Sequence, residues 1–273
     1  MPGEKQQLYL ETDGQRLHCM LYSPRRHVAS IVICPPLFEE RKCSARALSE
    51  TAVALSEVGF SVLKLDYRGC GDSSGAMRDF GPDDWVRDIN ASLDFLRRRT
   101  GGAVGLLGLR LGATLAAFAA ERAGGGPLVL WEPVADGREY IEKELQRKLV
   151  REMAALGKSR ASRREIQKEV SEGRDIDLGG YAVSPGLYEK LRELDISTIP
   201  RPAVKTVLLV NIMHRQGFSR AVEAAAACIR KKGVTAETET VICRPFWNRI
   251  GYVDASPVIE RTSDWLGVQA LSN

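Results

Sequence analysis

Short runs rich in valine, isoleucine and leucine alternate with longer segments of helical spacing along most of the chain. The apolar runs cover residues 27–37, 61–67, 104–109, 127–134, 206–212 and 238–243. The helical segments cover residues 44–58, 82–98, 111–123, 218–232 and 257–266. Strands that are apolar at nearly every position are typical of a parallel sheet buried on both faces. The alternation therefore predicts an α/β fold, with a mostly parallel central sheet and helices on both faces.

Two segments depart from this alternation. Residues 8–10 and 17–22 are separated by an Asp-Gly hairpin signal, which predicts an antiparallel pair at the edge of the sheet. Residues 136–200 interrupt the alternation and are dense in arginine, lysine and glutamate. We expect this second segment to form a helical cap, or lid, inserted over the carboxyl ends of the strands.

The first part of the predicted cap has the pattern of an amphipathic helix. Its apolar residues recur at three- and four-residue spacing: Ile141, Leu145, Leu149, Met153 and Leu156. Such a stripe favours packing against the domain. A helix lying on a membrane surface is the alternative, but the glutamates among the basic residues disfavour it because they weaken attraction to anionic lipid.

Length and composition fit one globular domain, residues 1–273. The net charge of +4, from 39 basic and 35 acidic residues, is small and interspersed, which argues against a nucleic-acid partner.

No apolar stretch reaches the roughly eighteen residues of a membrane span, and the first residues lack a secretory leader, so we expect no membrane span and a cytoplasmic location. The six cysteines have neither CxxC nor metal-ligand spacing, so we expect reduced thiols, no metal and no cofactor. The oligomeric state stays open.

Two glycine-rich turns each follow a predicted strand and precede a predicted helix. The first is Asp-Tyr-Arg-Gly-Cys-Gly-Asp-Ser-Ser-Gly at residues 66–75, and the second is Gly-Leu-Arg-Leu-Gly at residues 108–112. A strand, a sharp turn with glycines on both sides of a central residue, and a helix form the architecture of a nucleophile elbow. This turn presents its central side chain at the carboxyl edge of the sheet, and here that residue is Arg110.

The order of elements, the two turns and the predicted cap together resemble the α/β-hydrolase superfamily over nearly the whole chain. A narrower resemblance is to the hydrolase-like proteins called exosortase A system-associated hydrolase 2, through the motifs CPPLFEE, DYRGCGDSSG, GLRLGATLA, LWEPVADGREY and PFW. That group carries an arginine in its elbow and accompanies bacterial exopolysaccharide and sorting systems. The resemblance implies an α/β-hydrolase fold and a link to exopolysaccharide or exosortase systems.

Serine hydrolase chemistry requires a hydroxyl nucleophile, an imidazole that accepts its proton and a carboxylate that orients the imidazole. None of the three is found where this fold places it. Arg110 occupies the nucleophile position, residues 213–216 (MHRQ) hold no carboxylate, and residues 244–248 (RPFWN) hold no imidazole. We therefore expect a pseudoenzyme, a non-catalytic or atypical member that binds an acyl, lipid-linked or glycan-related small molecule.

An enzyme with unconventional catalytic residues is the alternative: an esterase, thioesterase or acyl transferase, because most superfamily members act on ester, thioester or amide bonds. The weak catalytic candidates are His214 at the end of a predicted strand, Cys34 beside the usual oxyanion-hole loop, and Cys70 in the first glycine-rich turn. The charge of Arg68 or Arg110 would activate a neighbouring thiol. A third hypothesis is a scaffold that dimerises through the cap.

A guanidinium in the elbow needs an anionic partner, because an unpaired buried charge is strongly destabilising. The predicted partners are Glu39 or Glu40 first and Glu132 second, with a bidentate contact of about 2.7–2.9 Å. Asp72 lies on the same rim, and the predicted site lining comprises Arg110, Leu111, Leu37, Glu39, Glu40, Glu132, Asp136 and Trp247. A permanent internal ion pair and an anchor for the carboxylate or phosphate of a ligand are the two hypotheses for Arg110.

Overall fold

The computed structural model describes residues 3–156 and 163–271. Its strands, numbered in chain order, are β1 (Glu4–Thr12), β2 (Gln15–Ser23), β3 (Ala29–Cys34), β4 (Phe60–Leu65), β5 (Val104–Leu109), β6 (Leu128–Trp131), β7 (Ile176–Asp177), β8 (Ala182–Val183), β9 (Thr206–Met213) and β10 (Thr235–Ile242). Its α-helices are α1 (Phe38–Glu57), α2 (Pro82–Thr100), α3 (Leu111–Ala119), α4 (Gly137–Leu156), α5 (Arg163–Ser171), α6 (Pro185–Arg192), α7 (Arg220–Lys231) and α8 (Ser256–Leu271). Short 3₁₀ helices cover Met77–Asp79, Ala120–Arg122 and Ile196–Thr198.

Within these ranges, eight strands form one sheet in the order β1-β2-β4-β3-β5-β6-β9-β10. β2 pairs antiparallel with both β1 and β4, whereas the other pairs in this sheet are parallel. Helices α1 and α8 pack on one face, and α2, α3 and α7 pack on the other. The predicted α/β fold is therefore confirmed. The predicted antiparallel pair lies at the sheet edge, and its turn residues Asp13 and Gly14 have φ of 49° and 70°.

The largest shift of a predicted boundary lies between β3 and α1. The strand predicted over residues 27–37 ends at Cys34, and the helix begins earlier than predicted, at Phe38. The Pro-Pro pair after Cys34 has no backbone N–H to donate, so the strand cannot continue. Glu39 and Glu40 favour a helix start, because negative charge in the first turn complements the helix dipole. Both glutamates are consequently held on a rigid helix.

The segment between β6 and β9 is mainly helical and holds α4, α5, the small β7–β8 hairpin and α6. The hairpin is absent from the sequence prediction, because two-residue strands leave no periodic pattern. Helix α4 packs beside α6. Asp136, just before α4, forms an isolated β-bridge with Asp195. The start of α4 is therefore fixed to the end of the same segment.

The predicted apolar stripe of α4 is buried only in its first half. Ile141 and Leu145 join the core beneath the helix, whereas Met153 is 52% exposed. The side chain of Leu156 lies outside the described part of the chain. Helix α4 thus packs on the domain through its amino-terminal turns. No helix within residues 3–156 and 163–271 is both long and apolar enough to cross a membrane.

Candidate ligand-binding site

The site is organised by the sharp turn between β5 and α3, where Arg110 has φ 56° and ψ −124°. A positive φ is strained for any residue with a Cβ. Glycines on both sides make the turn sterically feasible. A Cβ on Gly108 would lie 2.4 Å from the Cα of Ala113, and a Cβ on Gly112 would lie 2.3 Å from the carbonyl oxygen of Cys34. The backbone therefore has the strand–turn–helix geometry predicted for an elbow, with Arg110 at its apex.

Backbone strain is concentrated around this turn. Phe38, after β3, has φ 53°, and Glu132, after β6, has φ 45°. Together with Arg110 these are three of the four non-glycine residues with positive φ in the described ranges, and the fourth belongs to the β1–β2 hairpin. The N–H of Arg110 donates to the carbonyl oxygen of Trp131 (2.9 Å), which fixes the turn against β6. Such clustering is typical of functional sites, because surrounding structure must hold the strained conformations in place.

Arg110 is held by two different oxygens. Its Nε donates to Oε1 of Glu40 (3.1 Å), and its Nη1 donates to the backbone carbonyl oxygen of Glu132 (3.1 Å). Its guanidinium carbon lies 5.5 Å from the ring centroid of Trp247, within cation–π range. Glu40 is thus the carboxylate partner, but the predicted short bidentate contact is wrong. The second bond goes instead to the main-chain carbonyl of Glu132, a residue with a positive φ of 45°.

Glu40 connects the elbow to α4. Its side chain is fully buried, and Oε1 also accepts a bond from Nη1 of Arg147 (3.0 Å). Nη2 of Arg147 in turn donates to Oε1 of Glu144 on the same helix. Oε2 of Glu40 and the hydroxyl of Tyr140 are buried without a hydrogen-bond partner in the described residues. Arg110, Glu40, Arg147 and Glu144 therefore form one continuous charge network, with both carboxylates buried, that links the elbow with α4.

Burial sets the protonation behaviour of this network. Desolvation, reinforced by the charge of Glu40, raises the pKa of Glu144 to about 7, and the opposing effect of Arg147 is smaller. Desolvation also raises the pKa of Glu132. For Arg110 desolvation favours the neutral form, but the charge and hydrogen bond of Glu40, together with the nearby Tyr140 and Glu132, outweigh it and raise the pKa. The guanidinium consequently stays charged while Glu144 changes charge near neutral pH.

The remaining predicted acidic residues have separate contacts. Oε2 of Glu39 lies 3.4 Å from Nη1 of Arg151. Oε1 of Glu132 accepts a bond from the N–H of Ile212 (2.6 Å), which ties β6 to β9. Asp136 caps α4, accepting bonds from the first backbone N–H groups of that helix at 2.7 and 3.1 Å. Asp136 is not part of the cavity lining described below, and its carboxylate is used at the helix end.

A cavity of about 680 Å³ opens beside the elbow. Its lining comprises Glu39, Cys43, Arg110, Lys143, Gln146, Arg147, Val150, Arg151, Trp247, Asn248 and Ile250. Of the predicted site residues, Glu39, Arg110 and Trp247 line it, whereas Leu37 and Leu111 are fully buried. The sequence prediction misses the contribution of α4. The signal was available, because Lys143, Arg147 and Arg151 recur every four residues and so share one face of the helix.

The three catalytic candidates are not brought together with the cavity. Burial raises the pKa of the Cys34 thiol well above its usual range, and burial raises the pKa of Cys70 to about 12 even though Arg41 opposes it. A nucleophilic cysteine must be a thiolate, so this environment disfavours both. Arg68, the predicted activating cation, instead pairs with Asp88 at 2.7 Å. His214 is exposed and is absent from the cavity lining.

One group in the described residues has metal-ligand spacing. The ligand atoms of His18, Asp66 and Asp72 lie within 4.8 Å of one another. Nδ1 of His18 already lies 3.0 Å from Oδ2 of Asp66, and Nη2 of Arg41 donates to Oδ1 of Asp66 (2.7 Å). The arginine supplies the positive charge that a cation would bring. Asp66 is therefore already paired within the protein, and Asp72 is exposed.

Comparison with known proteins gives one family and many structural neighbours. The profile of the family described as serine aminopeptidase, S33 matches residues 26–176. No curated protein sequence matches the chain.

Est1E from Butyrivibrio proteoclasticus, solved with ferulic acid bound, has 18% identity and a TM-score of 0.65 over 97% of this chain and 98% of its own. An esterase from Pyrococcus furiosus, Pf2001, has 16% identity and a TM-score of 0.63 over 99% and 91%. XC6422 from Xanthomonas campestris, described as an α/β serine hydrolase without lid, has 16% identity and a TM-score of 0.58 over 100% and 96%. At these identities the likeness concerns the fold, and the α/β-hydrolase fold is confirmed.

Proposed function

The chain belongs to the serine aminopeptidase S33 family, and from that premise we propose that it is a member without the Ser-His-Asp triad that binds a small anionic ligand beside Arg110. The ligand class is acyl, lipid-linked or glycan-related, carrying a carboxylate or phosphate. The observation that carries the proposal is the guanidinium at the apex of a strained elbow, next to a cavity. An arginine has no nucleophilic oxygen or sulfur and stays protonated at physiological pH.

The contacts of Arg110 support a binding role. Nε and Nη1 are engaged by Glu40 and Glu132, whereas Nη2 makes no hydrogen bond within the described residues. The side chain is 14% exposed and lines the cavity. A guanidinium that is fixed in this way offers a carboxylate or phosphate an oriented donor at Nη2, which a flexible lysine does not. The internal pair thus orients the group that would bind the ligand.

The position of α4 beside the elbow supports a binding cavity that is covered by the segment 136–200. We propose that residues 136–200 form a cap within one domain, because α4 supplies Arg147 to the charge network and several residues to the cavity lining. The resemblance of the sequence motifs to exosortase A system-associated hydrolase 2 supports a role in bacterial exopolysaccharide or exosortase systems. A cytoplasmic location is part of the same proposal.

Two measurements test the proposal. Wild-type protein should show no stoichiometric labelling by a fluorophosphonate probe and no turnover of p-nitrophenyl esters. Phenyl phosphate, a short anionic probe, should bind by calorimetry, and Arg110→Ala should weaken its binding at least tenfold.

The matched control is Arg122→Ala. Arg122 is 52% exposed and pairs with Asp94 at 3.0 Å, away from the cavity lining, so its loss should leave binding unchanged. Turnover that depends on His214 or Cys34 would replace the proposal with an unconventional hydrolase or acyl transferase. Equal binding of phenyl phosphate by wild type and Arg110→Ala would exclude Arg110 as the anchor.

A further inference from the structure

The mouth of the cavity is formed by unusually exposed apolar side chains. Ile250 is 88% exposed, the highest value among large apolar side chains in the described ranges, and Val150 is 61% exposed. Both line the cavity beside the elbow. They come from separate elements, α4 and the loop between β10 and α8. Apolar surface that is left in water at the entrance of a cavity is typical of a site for an apolar ligand group.

The loop that carries Ile250 is anchored to the core. Phe246 and Trp247 are buried, and their rings pack edge to face at a centroid distance of 5.4 Å. Phe246 also packs against Trp131 at the end of β6 (6.1 Å). The segment that carries Ile250 therefore begins at two aromatic residues that are fixed in the core.

The charges differ between the inner end and the entrance of the cavity. Arg151 is compensated by Glu39 at 3.4 Å, and Lys143 is compensated by Glu139 at 2.6 Å. Glu39 itself lines the cavity and repels a second anion near Arg151. Farther in, Arg110 and Arg147 share a single oxygen of Glu40.

Glu144 is the other acid on Arg147, and its raised pKa leaves it only partly ionised at neutral pH. Together with Glu40 it is buried behind the two guanidiniums, and neither carboxylate is part of the cavity lining. An added anion should consequently have its most favourable electrostatic interaction at the inner end, near Arg110 and Arg147.

We propose that the cavity binds a single-chain amphiphilic anion, with a carboxylate or phosphate head at Arg110 and Arg147 and a hydrocarbon chain leaving between Val150 and Ile250. This inference rests on the proposed function, which supplies the anion at Arg110, and it adds the chain and its exit. A volume of about 680 Å³ is in the range of sites for ligands of this size. The free amphiphile and the same head group in a bilayer share this chemistry.

Calorimetric titration of the full chain with dodecanoate, dodecanol and hexanoate separates head from chain. Dodecanoate should bind, and dodecanol should bind at least tenfold more weakly because it lacks the charge-assisted hydrogen bonds to the guanidiniums. Burial of each methylene changes affinity by about fourfold. Hexanoate should consequently bind at least thirtyfold more weakly than dodecanoate. Equal binding of dodecanol and dodecanoate, or of hexanoate and dodecanoate, would overturn the inference.

Ile250→Asp tests the exit with little risk to folding, because the side chain is in solvent. It should weaken dodecanoate binding at least fivefold. The control Val58→Asp changes a side chain that is 52% exposed at the far end of α1 and should leave binding unchanged. Unaltered dodecanoate binding by Ile250→Asp would overturn the inference.

Dodecyl phosphate in solution and hexadecyl phosphate held in phosphatidylcholine vesicles distinguish the two sources of the head group. Binding of soluble dodecyl phosphate alone assigns a free amphiphile, whereas co-sedimentation with vesicles that Ile250→Asp abolishes assigns a bilayer lipid. Binding to neither contradicts the inference. If phenyl phosphate still binds through Arg110 in that case, the amphiphile inference fails and the proposed function stands. If phenyl phosphate binding is also independent of Arg110, both fail.

Discussion

Removal of the Arg110 guanidinium should expose how much of the fold depends on the buried pair. In Arg110→Met, Glu40 remains fully buried and keeps only Arg147 on its Oε1, while its Oε2 already lacks a partner among the described residues. Breaking a buried pair from one side typically costs about 3–5 kcal/mol. Because Arg147 still compensates the carboxylate, we expect the lower end, about 3 kcal/mol. The loss of the bond to the carbonyl of Glu132 contributes to this value.

A double-mutant cycle identifies the source of the cost. If the buried carboxylate dominates the cost, Glu40→Gln in the Arg110→Met background should restore about 2 kcal/mol, because a neutral amide is cheaper to bury than a carboxylate that has lost one of its two guanidinium partners. Arg46→Met is the control at an exposed pair and should cost about 0–1 kcal/mol.

Urea denaturation at pH 7.5 measures all of these variants, and the thermal midpoint of Arg110→Met should fall by roughly 6–12 °C for a domain of this size. The reasoning is refuted if Arg110→Met is as stable as the wild type. It is also refuted if the double variant is no more stable than the single one.

Three further outcomes follow from the same geometry. Glu144 has a folded pKa of about 7 against 4.5 for the ordinary group, so its stabilising contribution is full below pH 4.5 and is lost as the pH rises through about 7. Wild-type unfolding free energy should therefore drop by on the order of 3 kcal/mol between pH 4.5 and 8 relative to Glu144→Gln, as measured by urea denaturation at both pH values. Arg110→Ser should stay unreactive in a fluorophosphonate gel assay, because His214 is outside the cavity; strong labelling would show that a base is within reach. Gly112→Ala should lower the thermal midpoint by many degrees, since its Cβ would lie 2.3 Å from two carbonyl oxygens. Gly267→Ala on α8 has open space and should be neutral or stabilising by up to about 1 kcal/mol, and equal midpoints for the two variants would contradict the close-packed elbow.

Strands of the sheet that are buried on both faces can be predicted from the sequence, because burial requires an apolar residue at nearly every position. β5 has the predicted bounds, Val104–Leu109, because both of its faces are buried and every position is apolar. β10 begins at Thr235, before its predicted start, because it is an edge strand whose first residues alternate between exposed and buried. A search for continuous apolar runs therefore finds a central strand such as β5, but it does not find the first residues of an edge strand such as β10.

The site is predictable only in its local part. The elbow can be recognised from two glycines around Arg110, because the turn is built from neighbouring residues in the chain. The contribution of Arg147 depends on how α4 lies across the strand ends, which no local pattern encodes. Asp136 has the right position along the chain, but it directly precedes a helix and its carboxylate satisfies the free N–H groups there. An acidic residue directly before a helix can thus cap that helix, and its carboxylate is then not available to a neighbouring site.

The two roles considered for Arg110, internal ion pair and ligand anchor, are compatible in this geometry. The carboxylate of Glu40 engages Nε, and the carbonyl of Glu132 engages Nη1, so the plane of the guanidinium is fixed while Nη2 stays available. A side chain with four rotatable bonds would otherwise lose much conformational entropy when it binds an anion. Here the strained elbow, which costs about 1–3 kcal/mol, and the buried pair already order Arg110 when the protein folds. Little conformational entropy of this side chain is therefore left to lose on binding. A turn that positions a nucleophile in other hydrolase folds can therefore position an anion-binding group here, and the stability and ligand affinity of this chain should both depend on Glu40.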